Sequence, residues 1–519
     1  MRQKATFVHE HIKLHLTGEG MWSWREDVGF EWSGFVFLRA LGLIYAVAFL
    51  MLINDVIPLI GKEGLLPAEL FLERIHSHLG DWEHAFWEIP SLFHFACSDD
   101  LLLLWSWVGF VLSLCVVFGL ANIPILLSLW FLYFSFVSVG QRWFSFGWES
   151  QLLETGLLAV FLVPFFDPRP FKSRSPKIIH ILGGWLIARI MFGAGLIKIR
   201  GDECWRDLTC LNYHFETQPV PNPLSFYIHH LPNWILESGV LFNHFVELVV
   251  PFFLLGPSKI RNSAALVMVV FQAVLILSGN LSFLNWLTIL PCLLCIDDVF
   301  WNRIVPNRLV LKIKQPSAQS SILDLHRYVY AALVVYLSIP VVQNLLSTEQ
   351  SMNRSFSSWR IVNTYGAFGS VGSERAEIVI EGREKGSEDW LEYDFKCKPG
   401  ALEKRPCWIS PYHYRLDWLA WFAGLEIGYG RGVYRETWLV HLIWKLLHAD
   451  SVALSLLDGD PFEGKVPYEI RVMAYHYTFA EIGDENWWKR EVLGIYVQPQ
   501  TKESQQLQKY LIRHGWLKP

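Results

Sequence analysis

About nine stretches of mostly apolar residues recur along this chain, near 35–53, 101–120, 123–140, 149–166, 179–198, 240–256, 264–281, 282–298 and 326–346. Each approaches the roughly 20 residues a helix needs to cross the hydrocarbon of a bilayer. Inside lipid every backbone polar group has to be satisfied within the protein, so stretches of this kind form helices rather than open strands. Composition agrees. Apolar residues make up 52% and charged residues 18% of the 519, against about 25% charge in soluble domains. The expected architecture is a polytopic α-helical membrane bundle of about nine transmembrane helices over 31–350, preceded by a cytosolic segment over 1–30. Because residues 1–31 contain no apolar core, the first span is expected to act as an uncleaved anchor.

Lys and Arg in the short connections set the orientation. With the N-terminus cytosolic, one side receives Arg169, Lys172, Arg174 and Lys177, then Lys259 and Arg261, then Arg303, Arg308, Lys312, Lys314 and Arg327. The other side receives the acid-rich loop 54–100 and the loop 199–238. An odd number of spans places everything after about Leu346 in the exoplasm. Cysteine usage fits, because Cys204 and Cys210 share one exoplasmic loop and Cys397 and Cys407 share one exoplasmic turn. In an oxidising compartment each pair is expected to close a short disulfide. Cys97 is left without a partner. Cys292-Leu-Leu-Cys295 has redox spacing but sits in apolar surroundings, which make a thiol inert, so helix packing is its expected role. Asn353-Arg-Ser355 is a glycosylation sequon on the exoplasmic side.

Past the last span the pattern changes from membrane to globular. Glu377–Glu381 and Trp390–Lys396 alternate as strands and fit a hairpin. Apolar residues at three- and four-residue spacing predict helices over Arg415–Leu425 and Thr437–His448. Asp450 is placed to cap a third. Tyr468–Phe479 reads as a closing strand. Together these predict one α+β exoplasmic domain over 355–500, with 501–519 as a C-terminal tail.

Polar groups inside apolar spans are costly and usually have partners. Glu149, Gln151 and Glu154 begin one span, Arg189 and Lys198 lie in the next, and Asn243, His244 and Glu247 lie in the one after. A buried polar network of Glu149, Glu154, Arg189, Asn243, His244 and Glu247 is the candidate. Two readings stay open: structural links between helices, or a polar cavity that takes a lipid or cofactor. His214, Glu216, His229 and His230 match no zinc spacing, and there is neither a Gly-x-Ser-x-Gly elbow nor a P-loop. No catalytic residue, metal, cofactor or nucleic-acid partner is expected. Tyr412, His413, Tyr414, Arg415, Asp417, Trp418 and Trp421 concentrate the residue types favoured at protein interfaces. They are candidates for binding a client protein, with core packing as the alternative.

Several of these segments, in this order, carry a resemblance: Trp148-Glu-Ser-Gln-Leu-Leu-Glu154, Gly193 through Cys210, Asn243-His-Phe-Val-Glu247, Ser278 through Trp286, Asn363 through Gly369 and Ser410 through Trp418. Over roughly Phe35 to Tyr496 the chain resembles the lipase maturation factor family. The resemblance implies a multi-pass endoplasmic reticulum membrane protein needed for secreted homodimeric lipases, such as lipoprotein lipase, to reach their active fold. It implies a lumenal C-terminal domain that engages the client, and partners that are lipases, other disulfide-bearing secretory proteins and membrane lipids. In a bacterial source the corresponding site is the inner membrane. The competing reading is an intramembrane enzyme laid out like vitamin K-dependent gamma-carboxylase, or a general redox folding factor.

If the charge asymmetry sets the topology, Lys172→Cys labels with an impermeant maleimide from the cytosol. Asn353 then gains a glycan in a eukaryotic host. Labelling at 172 only after the exoplasmic side is opened contradicts the nine-span arrangement.

Overall fold

The computed structural model describes residues 24, 28–170, 175–306, 321–428 and 436–518. Most of the segment 1–30, together with Lys172, Arg174, Arg308, Lys312 and Lys314 of the basic connections, lies outside the described residues. The membrane part runs through α1 (Glu31–Ile60), α2 (Ala68–Leu79), α3 (Trp82–Glu88), α4 (Asp99–Val117), α5 (Ile123–Val139), α6 (Gly147–Val160) and α7 (Lys177–Arg200). It continues with α8 (Glu203–Arg206), α9 (Leu211–Thr217), α10 (Pro223–His229), α11 (Asn233–Leu248), α12 (Ser258–Ser278), α13 (Leu284–Leu294), α14 (Asp298–Ile304) and α15 (Ser321–Leu346).

Among the described residues, six helices are long and apolar enough to cross a membrane: α1, α4, α7, α11 with its extension to Leu255, α12, and Leu325–Leu346 of α15. A seventh arises if α13 and α14, bent by 109° at their junction, count as one span. The expected nine therefore include three runs that take other forms. The run at 123–140 is a 17-residue helix. The run at 149–166 is the 14-residue α6, whose residues Trp148 to Gly156 are buried without interruption. Apolar helices of about 10–14 residues are more often core helices than spans, and here protein takes the place of lipid around α6. The run at 282–298 breaks at Asp297, which caps α14 and accepts the buried Arg261 guanidinium at 2.6 Å. Arg261 is thus not a free loop charge. Asp298 in turn accepts from the first backbone amides of α1, Glu31 N at 3.1 Å and Trp32 N at 3.0 Å, which supplies an N-terminal cap from far along the chain.

The expected loops are folded too. Residues 54–100 hold the last turns of α1, α2, α3 and the start of α4, while 199–238 holds α8, α9, α10 and the start of α11. The C-terminal domain contains β1 (Arg375–Arg383), β2 (Leu391–Tyr393), α16 (Arg415–Gly428), α17 (Thr437–Leu446), α18 (Ser451–Leu454), β3 (Glu469–Phe479), β4 (Trp488–Gln500) and α19 (Gln505–Arg513). Its sheet is antiparallel with order β2-β1-β3-β4. The hairpin pairs Ile380 with Tyr393, and the long central pairing sets Ile378 opposite Ala474. Asp450 caps α18 through Ala453 N. The strand at Glu469–Phe479 does not close the domain, because β4 pairs with it and forms the sheet edge. The tail is also structured: Leu507 and Leu511 are buried, His514 O accepts from Arg74 of α2 at 2.5 Å, and Trp516 stacks on His441 at 4.3 Å.

The domain covers one end of the bundle. The C-terminal end of α1 meets it where Asn54 Nδ2 donates to Tyr412 Oη at 3.2 Å. That of α7 meets it where Asp202 N donates to Gly369 O at 3.1 Å. Just beyond α12, Asn280 Nδ2 donates to Cys407 O at 2.8 Å. The N-terminal end of α6 meets it through Trp148 against Trp418 at 4.8 Å, and α13 through Trp286 Nε1 donating to Ser410 Oγ at 3.0 Å. Three of these contacts come from C-terminal helix ends and two from N-terminal ends.

His441 of α17 is buried, and its Nδ1 donates to Leu65 O at 2.9 Å, tying the domain to the turn after α1. Burial holds its pKa down at about 4, with the nearby Lys445 adding to the effect, against about 6.5 in an unfolded chain. The unfolded state therefore binds the extra proton first. Stability is complete above about pH 6.5 and falls as pH drops towards 4. Between pH 7 and 5 this one group removes about 2 kcal/mol. Thermal melts at the two pH values should show that loss, and His441→Gln should reduce the difference; an unchanged difference in the variant means the group does not couple.

Candidate functional site

Four clusters of buried charge organise the junction of bundle and domain. Glu154 of α6 is ion-paired with Arg189 of α7. It also accepts from Tyr365 Oη at 2.6 Å, from Asn363 N at 3.0 Å and from Asn363 Nδ2 at 3.1 Å. Arg189 Nη1 completes the ring by donating to Asn363 O at 2.9 Å. Glu149, near the start of the same helix, accepts from Arg415 Nη1 at 2.7 Å, from Trp148 Nε1 at 3.0 Å and from the Tyr133 hydroxyl. Arg415 also donates to Trp143 O at 2.5 Å and lies 3.7 Å over the Phe144 ring. All of these side chains are buried.

The third cluster lies within the bundle. Lys198 Nζ donates to Asn243 Oδ1 at 2.9 Å and Glu247 Oε1 at 2.6 Å, while Asn243 Nδ2 bonds Glu247 Oε2 at 3.0 Å. Asn243 and Glu247 are four residues apart on one helical face, and together they neutralise the lysine. His244 does not join them, because its Nε2 donates instead to Trp205 O at 2.9 Å. The fourth cluster belongs to the domain. Glu377 lies between Arg375 at 2.5 Å and Lys398 at 2.9 Å, and Arg375 also donates to the carbonyls of Glu216 at 2.7 Å and Pro219 at 2.9 Å.

Every charge in these clusters has a counter-charge, and none pairs a nucleophile with a base. An arrangement of this kind fixes orientation; losing one partner of a buried pair costs about 3–5 kcal/mol. The clusters join segments distant in sequence. Those around Trp148–Glu154 meet Asn363–Tyr365 and Arg415. The backbone of 365–369 runs directly against α7, where a Cβ on Gly193 would collide with Tyr365 O and one on Gly201 with Gly369 O. Ser278–Trp286 meets Cys407–His413, with Asn280 Oδ1 accepting from Ile409 N and Ser410 N at 3.2 Å and Ser282 Oγ bonding His413 Nδ1 at 2.8 Å.

These contacts correct the expected client surface. His413, Arg415, Asp417 and Trp418 are buried, and Asp417 accepts from Cys397 N at 2.5 Å and Lys398 N at 2.9 Å. Burial raises the Asp417 pKa, and those two amides oppose the rise. Tyr412 and Tyr414 are half-buried against each other, and half-buried Trp421 donates through Nε1 to Thr217 O at 2.9 Å. The aromatic run is interior because it seats the domain on the bundle. Tyr133, Asn280, Ser282, Arg375, Glu377 and Lys398 received no role from the sequence, and Trp143, placed as an aromatic at a span end, is fully buried; a lone Tyr or Asn in an apolar run carries no sign of a partner hundreds of residues away.

Cys204 and Cys210 form a disulfide, as do Cys397 and Cys407, and Cys97, Cys292 and Cys295 are free. Of the loop histidines, His230 Nδ1 donates to Phe226 O at 2.7 Å and His229 Nε2 lies 3.8 Å from Glu216, whose Oε2 accepts from Phe479 N at 2.6 Å. His214 is kept neutral by burial, its pKa pushed down to about 4. It borders a cavity of about 730 Å³ that lies between α6, α7, α12 and α13 on one side and α16 with the segment 350–376 on the other. Asn353 is exposed at the cavity rim, and its Oδ1 accepts from Gly366 N at 3.3 Å.

The sequence divides where the structure does. A family described as the lipase maturation factor transmembrane domain matches residues 32–303, and one described as the lipase maturation factor C-terminal domain matches 361–498. The chain is 44% identical over 526 residues to lipase maturation factor 1 of Mus musculus, covering 93% of this chain and 89% of that protein. It is 43% identical over 518 residues to lipase maturation factor 1 of Homo sapiens, covering 93% and 90%. Lipase maturation factor 2 of Xenopus tropicalis is 28% identical over 577 residues, covering 88% and 80%. No solved structure matches.

Arg415→Met leaves the Glu149 carboxylate buried without its cation, and should lower stability by about 3–5 kcal/mol. Adding Glu149→Gln should recover most of the loss, because a neutral amide no longer needs the charge. Denaturation of the two single variants and the double variant in detergent measures the coupling. Additive losses would show that the pair does not hold the junction.

Proposed function

The chain belongs to the lipase maturation factor family, and on that premise we propose that it is an endoplasmic reticulum membrane protein. In this reading it brings secreted homodimeric lipases, of the lipoprotein lipase type, to their active fold, and the domain over 355–500 faces the lumen and holds the client. The odd count of seven spans, with α13 and α14 taken together, is consistent with a cytosolic N-terminus and a lumenal domain. The two disulfides suit an oxidising compartment.

With Tyr412–Trp418 spent on the junction, client contact moves to the far edge of the sheet. The observation that carries this is β4, the edge strand in the order β2-β1-β3-β4, which leaves Val492, Leu493 and Ile495 exposed at 63%, 54% and 45%. Soluble domains normally protect such an edge with charge, proline or a covering element. β4 carries charge at Lys489, Arg490 and Glu491 and Pro499 near its end, and the apolar stretch between them, Val492 to Ile495, is the part that offers backbone groups and side chains to an incoming extended segment. A client lipase that has not completed its own sheet supplies one. Binding of this kind needs no reactive group, in keeping with the paired charges of the junction.

Truncation near Leu346 tests this poorly, since it would leave Glu149 without the Arg415 cation and the Glu154–Arg189 pair without Asn363 and Tyr365. The cleaner experiment is Leu493→Lys with Ile495→Lys in the full chain, read by co-capture of newly made lipase and by secreted lipase activity. Both should fall several-fold while expression and melting temperature stay near those of the parent. Undiminished lipase secretion by a variant with that edge charged rules out β4 as the client surface.

A further inference from the structure

The junction cavity has a chemical gradient that the client-binding reading does not use. Its volume of about 730 Å³ lies within the roughly 300–1,000 Å³ typical of small-molecule sites. The inner wall comes from apolar residues of two spans, Ile190, Met191 and Ala194 of α7 and Phe271 of α12, all buried. The exposed residues of its lining are different in kind: Ser145, Met352, Asn353, Ser370, Gly372 and Glu374. Buried polar side chains, among them Gln151, Gln218, Gln272, Asn285 and Thr288, share the inner wall with the apolar residues, and the rim is mostly polar.

Charge narrows the ligand further. Glu247 in the wall is neutralised by Lys198, while Arg375 is paired with Glu377, which Lys398 shares, and donates to the carbonyls of Glu216 and Pro219. His214 is neutral at pH 7 because its pKa is held at about 4. Gln151 Nε2 donates to Thr288 Oγ1 at 2.9 Å and Asn285 Nδ2 to Gln272 Oε1 at 2.8 Å, while Gln151 Oε1 and Gln218 Oε1 are buried, neutral acceptors without a hydrogen-bond partner among the described residues. Glu374 stands at the rim with no paired cation among the described residues. An anionic head would meet a carboxylate and no free positive charge. A hydroxyl-bearing head finds the Ser145 and Ser370 hydroxyls as partners.

We propose that this cavity binds a single-chain lipid with an uncharged, hydroxyl-bearing head, its acyl chain against α7 and α12 and its head at the rim beside Ser145 and Ser370. Such a molecule has two sources, the bilayer around the spans or the aqueous pool of neutral acyl glycerols. The site does not depend on the client surface at β4, and loss of one leaves the other intact.

The test uses the full chain in phosphatidylcholine nanodiscs and a monoacylglycerol carrying a diazirine on its acyl chain. In one arm the probe is built into the bilayer; in the other it is delivered on albumin to probe-free nanodiscs. A diazirine fatty acid is the anionic control. Irradiation should label peptides containing Ile190–Ala194 or Phe271–Leu284 from at least one arm, and the arm that labels identifies the source. Labelling should be competed by plain monoacylglycerol and exceed that by the fatty acid several-fold. Ala194→Phe, which fills the depth, should cut it several-fold at unchanged melting temperature. If that variant melts early, Ala367→Phe at the loop side of the cavity gives the same readout. Equal labelling by the fatty acid, labelling confined to other spans, or full labelling of a stably folded filled variant overturns the assignment.

Discussion

The Arg415–Glu149 pair is the contact on which the placement of the rest depends. It joins the first turn of a domain helix to the first turn of a short helix buried in the bundle, with 266 residues between them. Neither charge has water to fall back on. Buried ions of this kind contribute little net stability against apolar replacements but penalise every arrangement in which they are separated. The Glu154–Arg189–Asn363 ring repeats the device midway along α6. The two leave the domain one seat on the bundle, and the cavity is the space that this seating encloses.

That seating explains why the family's recognisable segments are spread along the chain. They are halves of contacts: glycines of α7 with the backbone of 365–369, Asn280 and Ser282 with 407–413, Glu149 with Arg415. A pattern that resembles scattered motifs is one surface seen from both sides. The signature marks how the domain is carried, and the client surface proposed at β4 lies outside those contacts.

Much of the domain was legible. Alternation identified β1 and β3, and Asp450 announced α18, because caps and amphipathic periods are local signals. The cysteine pairs were legible from shared loops. The Glu154–Arg189 link was visible as charge within apolar runs. What was hidden depended on distant partners. Trp148–Gly156 looks like a span because composition cannot tell whether lipid or protein surrounds an apolar helix. Tyr412–Trp418 has the composition of an interface and is one, but within the chain. β4 was missed because Lys489-Arg490-Glu491 precedes Val492-Leu493 without alternation, as befits an edge strand with little of its length buried.

The long separation between Glu149 and Arg415 bears on how the chain is made. Synthesis delivers α6 early and Arg415 only after the last span has been placed. Until then the bundle holds a carboxylate with no cation, and Glu154 lacks Asn363 and Tyr365. The membrane part therefore reaches its final packing only when the domain behind it has been made and folded, since non-local contacts form last. A chain arrested before that point carries exposed charge inside its own helices, which distinguishes an unfinished molecule from a finished one.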